Sequence, residues 1–172
     1  MRRDEEFAEI FRESYPSLCR FLECLLGKHH LAQDIAQESF LRLYKQGLES
    51  IPAGEARFWL FRVARNLALN ELNKTRRHQG FFQQVKEMYR AKPDTPETDL
   101  LLSEEKRAVI EMLKTLPEQQ RATLLLREQE GLSYSEIARV LNVSESKVKV
   151  DIFRARNSLR AHWHAAHAAI NK

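Results

Sequence analysis

No run in this sequence stays apolar for the roughly 20 residues that a membrane-spanning helix needs. The opening Met1-Arg2-Arg3-Asp4-Glu5-Glu6 leads into a helical pattern rather than the apolar centre of a secretory signal. No membrane insertion is expected, and the cytoplasm is the expected compartment. Cysteine is scarce as well. Cys19 and Cys24 lie five apart in an amphipathic helical pattern, form no CxxC pair and have no second cluster to complete a metal site. Reduced, half-buried thiols are therefore expected rather than a disulfide. The 5 Gly and 5 Pro are too few for the many tight turns of an all-β protein. A glycine-rich phosphate loop and a nucleophile motif are both missing, so no catalytic residue and no cofactor are expected. The histidines do not supply a metal site: His162 and His164 point to different helix faces, and no carboxylate or cysteine stands near His164 and His167. The excess of positive charge is small, 28 Lys and Arg against 24 Asp and Glu in 172 residues, a net +4. Only the distribution of that charge can argue for a polyanionic partner.

What remains is helix. Phe7, Ile10, Phe11, Leu18, Phe21, Leu22, Leu25 and Leu26 recur on a helical period, with Pro16 marking a kink or a new start and Gly27 a stop. A second helix is predicted over about 31–44 with Gly47 ending the run, then a short loop over 48–55 containing Ile51, Pro52 and Gly54. A third is predicted over about 56–73, passing into Lys74, Arg76, Arg77 and His78. Lys92-Pro-Asp-Thr-Pro-Glu-Thr-Asp99 is polar, acidic and proline-bearing, and reads as a tether; Phe81, Phe82 and Val85 suit a short helical extension before it. Helical signals then return. Ser103 caps a helix to about Thr115, Pro117 and Glu118 open another that ends at Gly131, and Ser133-Tyr-Ser-Glu136 is a capping box. Asn142-Val143-Ser144 makes a tight turn into a last long helix. No strand pattern and no internal repeat is present. The expected fold is all-α, with two small helical domains over 1–78 and 103–172 joined by a flexible linker over 79–102.

Three faces carry chemistry. Residues 133–160 have the spacing of a helix-turn-helix, with small Ala138 at the helix approach and Asn142 suited to a left-handed turn. Val148, Ile152, Ala155 and Leu159 fall inward on the second helix, leaving Ser146, Lys147, Lys149, Val150, Phe153, Arg154 and Asn157 on the outer face. Cations there can meet phosphates and guanine edges, and the apolar pair thymine methyls or sugar. A plain two-helix hairpin with an exposed Phe is the bland alternative. On the third helix Leu60, Val63, Ala64 and Leu67 face inward, while Phe58, Arg62, Arg65, Asn66, Leu69 and Asn73 project the other way. Aromatics among arginines and asparagines suit unstacked bases of single-stranded DNA, although Trp59 and Phe61 read better as core. On the second helix Asp34, Gln37, Glu38 and Arg42 share one face, which is either a solvated surface or a docking face for a catalytic partner.

Taken together, Asp34-Ile-Ala-Gln-Glu-Ser-Phe-Leu-Arg-Leu-Tyr44, Phe58-Trp-Leu-Phe-Arg-Val-Ala-Arg-Asn66 running on to Arg77, and Leu116-Pro-Glu-Gln-Gln-Arg121 with Gly131-Leu-Ser-Tyr-Ser-Glu-Ile-Ala138 and Ile152-Phe-Arg-Ala-Arg156 resemble the extracytoplasmic-function (group IV) branch of the bacterial sigma-70 family. They resemble its regions 2.2, 2.3–2.4 and 4, in that order, over about 4–78 and 103–163. The resemblance implies that Asp34, Gln37, Glu38 and Arg42 bind core RNA polymerase, on its beta-prime clamp, with the beta flap as a second contact. It implies that the loop bearing Ile51 holds a base flipped from the melted −10 strand. Phe58, Arg62, Arg65, Asn66, Asn73, Arg76 and Arg77 would read that strand. Ser146, Lys147, Lys149, Val150, Phe153 and Arg154 would enter the −35 major groove. Promoter DNA and core polymerase are thus the implied partners, with an anti-sigma factor as a further candidate. Two positions depart from the family, which usually carries a small polar and a basic residue where this chain has Val150 and Asp151. An acid beside phosphates is unfavourable unless it faces a cytosine amine or an internal cation, so replacing Asp151 by Arg is expected to raise DNA affinity. The alternative function is a stand-alone helix-turn-helix regulator, which explains 103–163 and leaves the two N-terminal faces without a role.

Overall fold

The computed structural model describes residues 2–86 and 103–170. Among them there are seven α-helices and no strand: α1 Arg2–Leu26, α2 His29–Gln46, α3 Ala56–Lys86, α4 Glu104–Lys114, α5 Glu118–Glu128, α6 Tyr134–Leu141 and α7 Glu145–Ile170, with a 3-10 turn at Leu48–Ser50. Lys92–Asp99 and the side chains of Phe81, Phe82 and Val85 lie outside the described residues.

Helices α1, α2 and α3 form the N-terminal module around Leu18, Phe21, Leu22 and Leu25, against Ile35, Phe40 and Leu43, and Leu60, Phe61 and Ala64, all buried. Phe21 meets Phe61 edge-on at 5.3 Å. Burying each such side chain contributes about 1.5–3 kcal/mol. That gain explains why α1 runs unbroken through Pro16, where the sequence leaves a kink or a new start open. Proline costs about 3 kcal/mol in a helix interior, which the packing on either side outweighs. Ser39, fully buried, donates its hydroxyl to the Ile35 carbonyl at 2.7 Å and leaves no orphan polar group.

The C-terminal module is built on the punctuation visible in the sequence. The Ser103 hydroxyl accepts from the Lys106 amide and starts α4. Ser133 and Glu136 form both halves of the capping box on α6, and the Ser133 amide, donating to Glu136 at 2.7 Å, is the largest cause holding that carboxyl below its ordinary pKa. Asn142 ends α6 in the left-handed conformation at φ 53°, ψ 52°, which turns the chain into α7. Ile137, Val140, Val148, Ile152 and Ala155 fill the space between α6 and α7.

The two modules are docked, an arrangement that the tether in the sequence did not indicate. Gly27, at φ +69°, lies so close to α4 that a Cβ there would stand 2.5 Å from the Lys114 side chain. Arg121 of α5 is buried and donates to the Leu25 carbonyl at the end of α1 at 2.6 Å, and to its own Leu116 carbonyl at 3.0 Å. Burial pushes the Arg121 guanidinium down from its ordinary pKa, against the pull of Glu118. Buried Glu23 of α1 holds His29 of α2 on one carboxylate oxygen and Lys106 of α4 on the other. Both cysteines are free thiols, Cys19 half-buried and Cys24 buried, and Gln129, just past the end of α5, approaches the Cys24 sulfur at 3.6 Å.

Candidate nucleic-acid interface

The outer face of α7 is the most open of the three. Val150 is 41% and Phe153 67% exposed, and Ser146, Lys147, Lys149 and Arg154 are exposed beside them. Val148, Ile152 and Ala155 hold the opposite face in the core, so the outward set is fixed by the rest of the module. Phe153 takes no part in the core, and its ring stands in water beside Val150 and among these cations. Lys149 lies 5.9 Å over the Tyr134 ring, which braces it at the start of α6.

Asp151 corrects an expectation. The sequence left open an internal cation as its partner, but the expectation that its replacement by Arg would strengthen binding took it to lie beside DNA phosphates. In the structure its side chain is 1% exposed and paired with Lys147 one turn earlier. The helical phase explains this: Asp151 sits between inward Val148 and inward Ile152, so it turns into the module rather than toward the groove. The cation that balances it is internal, and Lys147 is committed to it as well as exposed.

On α3 the expected set divides. Asn66, Asn73, Arg76 and Arg77 are exposed, with Arg77 donating only to its own helix at the Asn73 carbonyl, 3.4 Å. Phe58, Arg62 and Arg65 face the C-terminal module instead. Arg65 makes a forked contact to Glu118, Nε to Oε1 at 2.9 Å and Nη2 to Oε2 at 2.7 Å, and also reaches Gln119 at 2.9 Å. Arg62 donates to the Arg139 carbonyl at 2.9 Å. The Arg139 guanidinium lies 5.0 Å over the Phe58 ring and pairs with Glu55 at 2.7 Å. Phe61 is core, as expected, and Trp59 is half-buried.

Ile51 is half-buried at the end of the 3-10 turn and lies on the wall of two hollows. The smaller, about 430 Å³, is bounded by Ser50, Pro52, Trp59, Arg62 and Arg139. The larger, about 1070 Å³, runs past Pro52 and Gly54 to the acids Glu6, Glu9 and Glu13 of α1.

The α2 face is Asp34 and Gln37, both exposed, with Glu38 and Arg42 paired at 2.7 Å. The sequence reading missed that this face is also apolar. Leu41 is 46% and Tyr44 49% exposed, Leu41 standing seven residues, two turns, after Asp34. The phase of Leu41 against Asp34 was the available signal.

The sequence of this chain matches two family descriptions: Sigma-70 region 2 over residues 10–78 and Sigma-70, region 4 over residues 106–159. It is similar to the ECF RNA polymerase sigma-E factor of Haemophilus influenzae, 37% identical over 136 residues that cover 73% of this chain and 71% of that one. It is also similar to the ECF RNA polymerase sigma factor SigM of Bacillus subtilis, 29% identical over 154 residues, 89% and 92% of the two chains. In fold it resembles the sigma factor RpoE solved in complex with the anti-sigma factor NepR from Bartonella quintana, with a TM-score of 0.69, 23% identity and coverage of 91% of this chain and 96% of that one.

Proposed function

The chain belongs to the extracytoplasmic-function branch of the sigma-70 family of RNA polymerase sigma factors, and from that premise we propose how its faces divide the work of starting transcription. The protein brings core RNA polymerase to promoters and supplies no bond chemistry of its own; it acts where the polymerase and the chromosome are, in the cytoplasm. Asp34, Gln37, Glu38 and Arg42 of α2, with Leu41 and Tyr44, form the face that the polymerase clamp covers. An apolar centre ringed by charge is the usual anatomy of such a docking surface. The Ile51 loop receives a base turned out of the −10 strand, and α3 from Phe58 to Arg77 reads the strand itself. The outer face of α7 enters the −35 major groove. The beta flap is the partner proposed for the C-terminal module, and an anti-sigma factor is a candidate regulator, since a solved structure of similar fold holds one.

The observation that carries this reading is the α7 face. Phe153 and Val150 stand exposed among Lys149 and Arg154, on a stretch of α7 whose opposite side is buried through Val148, Ile152 and Ala155. The test is to add the protein to core polymerase and sequence the transcript starts. Starts at a shared pair of upstream elements support the reading. Tight binding to a promoter duplex without polymerase, and no stimulated starts, would instead make it a stand-alone helix-turn-helix regulator.

A further inference from the structure

The Lys147–Asp151 pair couples a carboxylate inside the C-terminal module to an ammonium at its surface. Asp151 is 1% exposed and Lys147 46% exposed, one turn apart on α7. The backbone at Lys147 is fixed as well, since its amide donates to the Ser144 hydroxyl at 3.1 Å where α7 begins. Lys149 differs: it rests over the Tyr134 ring at 5.9 Å, a contact that brings no opposite charge. An ammonium carries three N–H donors. Asp151 Oδ1 takes one from Lys147, and two remain for a ligand. If Lys147 swung out to a phosphate, it would leave behind a buried carboxylate whose Oδ2 already lacks a protein partner, and an unpaired buried charge is strongly unfavourable. Lys147 therefore keeps to one place, with its charge largely balanced. A free lysine on its flexible stem serves any phosphate within reach. A donor fixed in position and nearly neutral suits an acceptor at a fixed site, such as guanine O6 or N7 in the major groove.

We propose that Asp151 is a positioning residue for DNA recognition: it holds Lys147 as a charge-balanced donor that reads one base edge of the −35 element, and it withholds that lysine from the phosphate backbone. The inference rests on the reading of the α7 outer face as the −35 surface. It adds that specificity at one base pair depends on a carboxylate that never touches DNA.

In the test, the full chain selects short duplexes from a pool of random sequence. Its affinity is then measured across a salt series for the selected duplex, for every single base-pair change of it and for a scrambled duplex. D151N keeps the shape and removes the buried charge, K147A/D151N removes both charges and strands neither, and K149A samples the α7 face as a whole. Unchanged circular dichroism shows that each variant is folded. In D151N the preference at one base pair should fall about fivefold or more. Affinity for the scrambled duplex should rise, with a salt dependence steeper by about one counterion. In K147A/D151N the preference at the same base pair should be lost without that steeper salt dependence. A purely structural role would weaken all duplexes alike and leave every base preference intact. That result in D151N, or a D151N chain that matches wild type, overturns the positioning role, provided K149A lowers affinity for the selected duplex. A preference lost in D151N but kept in K147A/D151N also overturns it, because Asp151 would then not act through Lys147. If K149A binds as wild type does and no duplex is selected over the scrambled one, α7 is not the groove-entering helix, and the reading beneath the proposal falls with it.

Discussion

Removing one member of the Lys147–Asp151 pair should cost the fold more than removing the charge of the other. Asp151 is the buried member at 1% exposed, and its Oδ2 already lacks a protein partner. Lys147 is 46% exposed and can turn to water. Lys147→Ala therefore strands a buried carboxylate. An uncompensated buried charge costs about 3–5 kcal/mol, and water admitted at the truncated lysine lowers that to about 2–3 kcal/mol. Asp151→Asn removes the charge, keeps the shape and can still accept a hydrogen bond, so it should cost under about 1 kcal/mol. Asp151→Arg forces a larger cation into a filled space and should cost more than about 3 kcal/mol, through both overpacking and an unpaired charge. Urea denaturation of the three variants, followed by circular dichroism, gives the ranking. Binding to a −35 duplex should fall with Asp151→Arg because the helix is no longer held. If Asp151→Arg instead kept wild-type stability and bound the duplex more tightly, the inward placement of Asp151 and the reasoning from it would both be refuted.

Asp34→Arg with Leu41→Glu should lower affinity for core polymerase by tenfold or more with unchanged circular dichroism; equal recovery in a pull-down would show that α2 is a solvated face. Asn66→Ala should reduce permanganate reactivity of −10 thymines more than it reduces binding of the closed duplex, and equal melting would reject its role. Ser133→Ala should destabilise the protein by about 1 kcal/mol through loss of the α6 cap. Glu136 has its pKa lowered by folding, so its stabilising contribution is present above the ordinary carboxylate range and is lost as pH falls through the lowered native value; Glu136→Gln should flatten that acid limb of a stability–pH curve.

Local signals made the helix boundaries readable. The Ser103 cap, the Ser133–Glu136 box and left-handed Asn142 are each set by residues within a turn of one another, so no distant contact was needed to infer them. The outward set on α7 was readable for the same reason, since one apolar stripe fixes its opposite. Asp151 was misplaced because it lies at the edge of that stripe, where one position of phase decides between groove and core. Leu41 was missed because the charged set on α2 was assembled without asking which apolar residues share its phase. Docking of the modules was not legible at all. Arg65 with Glu118, and Arg57 with Glu130, pair residues more than fifty positions apart, and no local pattern distinguishes an arginine waiting for phosphate from one already holding a carboxylate.

Because Arg65 and Glu118 belong to one chain, their encounter is unimolecular and dilution does not loosen it. Tethered partners meet at an effective concentration on the order of millimolar, so a separate molecule that bound Arg65 no more tightly than Glu118 does would have to approach that level to displace it. A body that grips both modules at once escapes that limit, because it becomes a local reactant as well.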